Sequence, residues 1–378
     1  MASTRRWIVP SVLLVISAIL VSNLRSSGKS TNHVFQTELE LPLANQEESR
    51  KLTVEGDDEC KNKLSLHQMC LDMIAFSSPP GSPSYNKMQN VLGKAKSYKV
   101  HLAGKGIYES NEANIRAMLE GYGLPASTPD DPPETVLHVQ SDFTFCADCH
   151  TIPRIFVQSE QLATIGHKIM KKNLKPCHDQ ELCVIWEYSD FQYHWMKERK
   201  MQDSVVLLPI MHQSRLGEAD NMHSLTNRSI DVVFFGDMSR KRRKPLIKSF
   251  NDELSNVRAE QTKSTKRMKK SYEDSKVCLI THGYHTGAAG ETHRLSEFGR
   301  FGCIPILETW SDELFLEPYR KCADVVFADY DNLLNATKAV LNGINSSDDK
   351  NLSKRVNWWR TGVKWELVLT TAMTTAPS

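Results

Sequence analysis

The chain has 378 residues, a length that suits two domains of ordinary size better than one. Hydrophobic residues make up 40% and charged residues 24%, so the composition allows packed globular cores. The formal net charge is +2, and this near balance excludes an argument for nucleic-acid binding from overall charge.

The N-terminal region carries a targeting signal. Residues 7–24 form an uncharged, mostly apolar run, with Arg5 and Arg6 before it and Arg25 after it. The run is at the short end for spanning a bilayer and fits the thinner membranes of the early secretory pathway. We predict a cytoplasmic tail (1–6) and a signal anchor that makes a single-pass type II protein of the endoplasmic reticulum or Golgi, with its body in the lumen. A cleavable signal peptide is the alternative and places the same body in the lumen.

Two further features agree with a lumenal body. Four Asn-x-Ser/Thr sequons predict N-glycosylation at Asn227, Asn335, Asn345 and Asn351. The chain also has nine cysteines, most of which we expect to pair in an oxidising compartment, with one left over.

The first half of the chain alternates between strand-like and helix-like segments. Residues 25–59 are polar without a period and predict a flexible stem. Residues 60–212 predict an α/β domain, with strands at 99–103, 134–143, 153–162, 183–189 and 204–210 and a helix at 111–123. Residues 213–229 are polar and predict a linker.

A second alternating unit follows the linker. Residues 230–345 predict another α/β domain, with strands at 230–238, 276–282, 303–308 and 323–330 and helices at 245–261, 291–302 and 332–343. Residues 346–378 predict a last helix, at 354–369, and a tail. Apolar strands separated by helices are typical of parallel sheets covered on both faces. Ligands of such sheets bind beyond the carboxyl ends of the strands, here near Gly236, His282 and Leu307.

The segment 278–318 has the strongest pattern for ligand chemistry. An apolar strand leads into a loop containing Gly283, Gly287 and Gly290, where backbone N–H groups can approach a ligand closely. A helix is expected to begin near Glu291, and its N-terminus favours an anion. This pattern predicts a phosphate site at the loop.

Two side chains on the same helix complete that prediction. Arg294 lies in the first turn, where a guanidinium can contact a phosphate. Glu297 lies one turn later on the same side, where a carboxylate can accept hydrogen bonds from sugar hydroxyls. Together they predict a nucleotide-sugar site, with the diphosphate at the helix start and the ribose at Glu297.

The run from Arg294 to Ile306 resembles the donor-binding motif of exostosin-type glycosyltransferases. The likeness rests on Arg294, Glu297, Gly302, Cys303, Pro305 and Ile306, and it extends over about residues 228–343. It implies the GT-B fold, in which two Rossmann-like domains face a cleft, with 60–212 on the acceptor side and 230–345 binding the donor. It also implies that Glu297 binds the ribose and that Arg294 lies near the phosphates. The implied activity is transfer of a sugar from a nucleotide sugar, as substrate rather than cofactor, to a glycan or glycoprotein.

A basic run offers further donor contacts. Gly236 ends the first strand of the second domain, and residues 240–244 (RKRRK) follow it. In GT-B enzymes the corresponding loop faces the donor diphosphate, so we expect one or two of these cations, with Arg240 and Lys244 as candidates, to neutralise it. His282, at the end of the next predicted strand, is a further candidate.

The catalytic base has several candidates. Proton removal from an acceptor hydroxyl needs a carboxylate or a histidine. Asp142, Glu160, Glu187 and Asp190 lie at or near the ends of predicted strands of the first domain. No Asp-x-Asp triplet is present, and this argues against an obligate metal, because helix dipoles and basic side chains can neutralise the leaving diphosphate instead.

Two alternatives belong to other functional classes. Cys146 and Cys149 form a Cys-x-x-Cys motif after a strand-like run, which is typical of a lumenal thiol-disulfide oxidoreductase and also of a structural disulfide. The second alternative is a membrane-anchored binding protein that has the fold but no catalytic activity.

Overall fold

The structure is a computed structural model. It describes residues 59–61, 63–102, 107–141, 149–158, 162, 170–208, 219, 222–261, 264–283, 292–309, 314–344 and 348–374, with the backbone alone at 107–110, 149, 292–293 and 348–350. The predicted anchor at 7–24 lies outside these residues. Within them, no helix combines the length and the apolar character that crossing a bilayer requires.

The described strands form two parallel five-stranded sheets, and the α/β prediction with parallel sheets is confirmed. The first sheet follows chain order, β1-β2-β3-β4-β5, and the second has the order β10-β9-β8-β6-β7. The strands are β1 (Ser97–His101), β2 (Val136–Gln140), β3 (Arg154–Gln158), β4 (Cys183–Glu187), β5 (Val205–Leu207), β6 (Ile230–Phe235), β7 (Val257–Glu260), β8 (Ser275–Ile280), β9 (Ile304–Glu308) and β10 (Val326–Ala328).

Helices connect and cover the strands. They are α1 (Leu66–Ser77), α2 (Pro83–Lys94), α3 (Ile107–Gly121), α4 (Lys175–His178), α5 (Asp190–Lys197), α6 (Arg243–Glu253), α7 (Thr265–Glu273), α8 (Thr292–Phe301), α9 (Glu317–Ala323), α10 (Leu333–Gly343), α11 (Asp348–Thr361) and α12 (Trp365–Thr374). Serine side chains cap several N-termini: Ser65, Ser82 and Ser189 each accept a hydrogen bond from a backbone N–H in the first turn.

The second sheet is covered on both faces, because alternate residues of a strand point to opposite sides. Val232 and Phe234 of β6 pack in a cluster with Leu246, Ile247 and Phe250 of α6 and Leu333 of α10. Their neighbours Val233 and Phe235 pack on the other side, in a cluster that includes Met268 and Tyr272 of α7 and Leu295, Phe298 and Phe301 of α8. This burial explains why the strand reads as a continuous apolar run.

One predicted helix is shorter than expected. The helix predicted at 245–261 ends at Glu253, and residues 257–260 form the edge strand β7 instead. The chain turns at Leu254–Asn256, where the carbonyl of Asn256 accepts a hydrogen bond from the Asp231 N–H at 2.9 Å. The apolar residues beyond Glu253 keep a helical spacing by coincidence, but residues 257–260 form a strand because they pair with β6.

The C-terminal part forms two helices, where one was predicted at 354–369. They are separated near Gly362, whose φ of 60° lies in the left-handed region that favours glycine. The second helix, α12, lies against helices of the first half: Tyr85 Oη donates to the Met373 carbonyl at 2.9 Å, and Thr370 Oγ1 donates to the Gly121 carbonyl at 3.0 Å. The end of the chain therefore returns to the first sheet's helices.

Three disulfides lie among the described residues. They join Cys60 to Cys322, Cys177 to Cys183 and Cys278 to Cys303. The first links the start of the described chain to α9, and the third links β8 to the entry of β9. Cys70 is free and buried, and its pKa is raised by burial.

Candidate functional site

The strand order of the second sheet predicts a ligand crevice between β6 and β8. From β6 the chain passes to β7 on one side, then crosses to β8 on the other side and continues outward to β9 and β10. Connections on opposite sides separate at this point, and ligands of open α/β sheets bind there, beyond the carboxyl ends of the strands. The first sheet follows chain order and has no such reversal among its described strands.

Two arginines reach the strand ends that border this crevice. Arg243, the first residue of α6, is buried and donates from Nε and Nη2 to the Thr281 carbonyl, just past β8, at 3.2 and 2.8 Å. Arg294, in the first part of α8, is half-buried and donates from Nη1 to the carbonyl of Phe235, the last residue of β6. Positive charge is therefore held at the carboxyl ends of both strands, where it favours an anionic ligand.

Glu308, the last residue of β9, connects several groups beside the crevice. Its Oε2 accepts hydrogen bonds from Thr281 Oγ1 and from the His282 N–H, both at 2.8 Å. Its Oε1 forms an ion pair with Arg242, and the two side chains are only 7% and 10% exposed. The Arg242 guanidinium also lies 4.0 Å from the centre of the Tyr330 ring. This network fixes the chain where it leaves β8.

Glycine is required at the end of β6. A Cβ at Gly236 would lie 2.7 Å from Phe234 Cζ and 3.0 Å from Arg243 Nη1, so a side chain there would displace the buried arginine. Beyond it, Asp237 forms an ion pair with Arg240 at 3.1 Å. The hydroxyl and N–H of Ser239 donate to Asp237 and hold the pKa of that carboxyl below its usual range.

The structure brings several predicted donor residues together. Gly236 and Arg294 meet at the end of β6, and His282 lies just past β8 with its side chain buried. Arg240 is exposed, and its Cγ would lie 3.7 Å from a Cβ at Gly283. Gly290 and Glu291 lie outside the described residues.

The two remaining donor candidates, Lys244 and Glu297, lie on α6 and α8. Lys244 is exposed on α6, and its backbone N–H donates a hydrogen bond to the Arg240 carbonyl at 3.4 Å. Glu297 is 5% exposed on α8, one turn after Arg294. The two α8 residues are thus on the same side of the helix, as their spacing predicts.

From the basic run, the sequence analysis chose the exposed cations Arg240 and Lys244 and missed Arg243, which is buried, and Arg242, whose side chain is only 10% exposed. A signal for Arg243 was present: it precedes Leu246, Ile247 and Phe250 by three, four and seven residues, the spacing of the buried face of a helix. Arg242 had no such signal, because its partner Glu308 comes from another strand.

The first sheet contributes two described candidates for the base. Glu187, the last residue of β4, is 0% exposed, and its Oε1 accepts from the N–H of Tyr188 at 2.9 Å, the N–H of Ser189 at 3.1 Å and Nε2 of Gln192 at 2.8 Å. These donors hold the turn from β4 into α5. Asp142 and Glu160 lie outside the described residues.

Asp190 is the second described candidate, and like Glu187, whose Oε2 accepts no hydrogen bond from described residues, it has one such oxygen. It is the first residue of α5, 3% exposed, and its Oδ1 has no hydrogen-bond partner among the residues that the structure describes. A carboxylate at a helix N-terminus is favoured by the helix dipole. Asp190 is therefore a buried carboxylate three residues after the end of β4, and its Oδ1 lies inside the protein without a hydrogen bond from a described residue.

Three of the four predicted sequon asparagines are among the described residues. Asn227 is exposed, Asn335 is exposed on α10 with its sequon residue Thr337 fully buried, and Asn351 is half-buried on α11. Asn345, Cys146 and the side chain of Cys149 lie outside the described part. No group of His, Cys, Asp or Glu within that part has the arrangement of a metal site.

No protein-family model and no curated protein sequence matches the chain. Solved structures similar to it include TarM (11% identity, TM-score 0.41, 64% of this chain and 55% of that chain), a GtfA/B complex (8%, 0.37, 68% and 59%) and a mutant of T4 phage BGT in complex with UDP-glucose (10%, 0.44, 74% and 99%). The chain thus spans little more than half the length of the first two. With TM-scores below 0.5, these likenesses carry no argument about this protein's fold or activity.

Proposed function

We propose that this protein is a glycosyltransferase of the GT-B type that transfers a sugar from a nucleotide-sugar donor to a glycan or glycoprotein acceptor. The observation that carries the proposal is the crevice between β6 and β8, where Arg243 and Arg294 bind the carbonyls of Thr281 and Phe235. A diphosphate fits a strand-end crevice with guanidinium groups on both sides. We assign Glu297, one turn beyond Arg294, to the ribose hydroxyls, as the exostosin-type resemblance implies.

The reaction needs a base on the acceptor side. The base removes the acceptor hydroxyl proton, the oxygen bonds to the anomeric carbon, and the bond from that carbon to the diphosphate oxygen breaks, so that nucleoside diphosphate leaves. We assign the base to Asp190, because three donors to Glu187 Oε1 commit that carboxylate to the turn after β4. Oδ1 of Asp190, like Oε2 of Glu187, accepts no hydrogen bond from described residues. The arginines at the crevice stabilise the leaving diphosphate without a metal.

The disulfides support a place in the secretory pathway. Disulfides persist in oxidising compartments and are rare in the cytosol, and three join described residues here. Together with the apolar run at 7–24, they support a lumenal body on an N-terminal anchor. Nothing in the described residues favours the oxidoreductase alternative, since the described disulfides link secondary-structure elements and Cys70 is buried.

Nucleotide binding tests the proposal directly. Thermal unfolding of the lumenal body is measured with UDP, GDP, CDP and ADP and with UDP-linked sugars, and one nucleotide is expected to raise the midpoint. A ligand at 100 times its Kd adds about 2.7 kcal/mol to the unfolding free energy. Glu297→Gln should weaken that nucleotide about 10- to 100-fold, the effect of losing hydrogen bonds to a charged group.

A matched control and a second variant separate binding from catalysis. Glu317→Gln changes an exposed glutamate of the same half, which forms an ion pair with Lys321, and should leave binding unchanged. Asp190→Asn should keep nucleotide binding and lower kcat at least 100-fold. If no nucleotide stabilises the protein, the donor site is wrong. If one binds without any transfer, the binding-protein alternative is correct.

A further inference from the structure

Four aromatic rings form a cluster near the carboxyl ends of the strands, here named the aromatic ledge: Phe76, Tyr193, His194 and Phe315. The Phe76 ring lies edge-to-face against the other three, with ring centres 5.8 Å from Tyr193, 6.1 Å from His194 and 6.0 Å from Phe315. Tyr193 and His194 are themselves 5.8 Å apart. The ledge therefore joins α1, α5 and the segment before α9.

The chain around each ring places the ledge at the functional edge of the molecule. Phe76 precedes Ser77, whose Oγ accepts from the N–H of Leu207, the last residue of β5, at 2.7 Å. Tyr193 and His194 belong to α5, which begins three residues after β4 ends. Phe315 belongs to the segment between β9 and α9. Tyr193, His194 and Phe315 thus follow the carboxyl ends of β4 and β9, and Phe76, on α1 before β1, lies beside the carboxyl end of β5.

Part of the aromatic ledge is exposed to solvent, unlike the side chains of a hydrophobic core. Phe76 is 42% exposed and Leu314, the neighbour of Phe315, is 55% exposed; these are two of the three exposed large hydrophobic side chains in the described part of the chain, and the third is Leu367. His194 is also exposed, whereas Tyr193 is buried beneath. Contiguous exposed apolar surface marks an interaction or ligand-binding site.

We propose that the aromatic ledge is the platform on which the acceptor saccharide stacks. This inference rests on the proposed function, because it names the partner that Asp190 deprotonates. The face of an aromatic ring is electron-rich and its edge is electron-poor. A pyranose ring presents polarised C–H groups on one face and hydroxyls around its rim, so it can stack on Phe76 and hydrogen-bond at its edges. The occupant is therefore a saccharide with an apolar ring face.

The position of Asp190 agrees with this assignment. Asp190 lies three residues before Tyr193 on α5, a spacing that places both on one side of the helix. Phe76 lies on α1, and its ring contacts α5 through Tyr193, with the ring centres 5.8 Å apart. The helix that carries the proposed base thus also supports the platform, and this arrangement would hold the acceptor hydroxyl in position for attack.

Kinetics of the full-length protein test the ledge. Phe76→Ala should raise the acceptor KM about three- to tenfold, the loss expected for one aromatic stacking contact, while the donor KM and kcat stay unchanged. Phe76→Trp, which keeps a ring, should restore the acceptor KM. Leu314→Ala should raise the acceptor KM less than Phe76→Ala does. Leu367→Ala is the control, because its side chain is 43% exposed but lies on α12.

Direct binding provides a second readout that does not need turnover. Saturation-transfer NMR with the methyl glycosides of glucose, galactose, mannose, xylose and N-acetylglucosamine should show contact with at least one sugar, and this contact should weaken in Phe76→Ala but not in Leu367→Ala.

Three outcomes would contradict the proposal that the aromatic ledge binds the acceptor, without contradicting the donor site. The first is an unchanged acceptor KM in Phe76→Ala. The second is a change in donor KM instead, which would make the Phe76–Phe315 contact a closure contact between the halves. The third is unchanged saccharide binding with an altered oligomeric state by size-exclusion chromatography, which would make the ledge a protein contact. Loss of nucleotide stabilisation in wild type, by contrast, would contradict the proposed function itself.

Discussion

The ion pair between Arg242 and Glu308 allows a quantitative test of how the crevice is held. Both side chains are nearly buried, and Glu308 also accepts hydrogen bonds from Thr281 Oγ1 and the His282 N–H. Glu308→Gln keeps the shape and can still accept from those two donors, but it leaves the Arg242 charge without its counter-ion. Breaking a buried pair in this way costs about 3–5 kcal/mol. Because Arg242 keeps its contact with the Tyr330 ring, we expect the lower end, about 3 kcal/mol.

A double-mutant cycle separates the pair from its surroundings. Arg242→Met, Glu308→Gln and the combined variant are compared by urea unfolding with the disulfides intact. The combined variant removes both charges, so its cost should fall below the sum of the single variants by about 2 kcal/mol or more. Lys248 and Asp252, on the exposed face of α6, form the matched control pair, with side chains 77% and 57% exposed.

The control cycle sets the criterion for rejection. Exposed pairs at this spacing couple by about 0.3–0.5 kcal/mol. If the coupling between Arg242 and Glu308 is no larger than that between Lys248 and Asp252, the pair is screened by solvent. The account of a buried network at the end of β8 would then be wrong.

Two further predictions concern packing and pH. In Gly299→Ala, the new Cβ would lie 2.0 Å from Trp359 Cδ1, so the unfolding free energy should fall by at least about 1–3 kcal/mol. Gly93→Ala, on α2 with no atom near the new Cβ, is the control, and its unfolding free energy should rise by up to about 1 kcal/mol. Equal effects of the two substitutions in urea unfolding would contradict the packing of α8 against α11. Burial lowers the pKa of Lys87, whose Nζ donates to Ser204 Oγ at 2.7 Å, to about 8. Between pH 8 and 10.5 the unfolded chain therefore binds more protons at Lys87 than the folded chain, and the stability of wild type relative to Lys87→Met should rise with pH there, by at most about 1.4 kcal/mol per pH unit. A flat difference across that window would show that Lys87 is not desolvated.

Local sequence patterns determined most of the second α/β unit. The run at 230–235 is apolar because β6 packs on both faces, and the stop at Gly302 follows from its φ of 71°, which a helix end readily uses. The spacing of Arg294 and Glu297 was enough to predict that both lie on one side of α8. These features depend on residues that are close together in the chain, so the sequence alone is enough to predict them.

The tertiary structure decided everything that depends on residues distant in the chain. Strand order placed the crevice between β6 and β8, and the succession of strands along the chain does not reveal that order. Arg242 became a buried ion-pair partner because β9 delivers Glu308 beside it. β7 formed where helical spacing continued, because pairing with β6 outweighed local preference. The aromatic ledge likewise unites rings from three separate segments, whose meeting is set by packing energy summed over the whole chain and not by any local pattern.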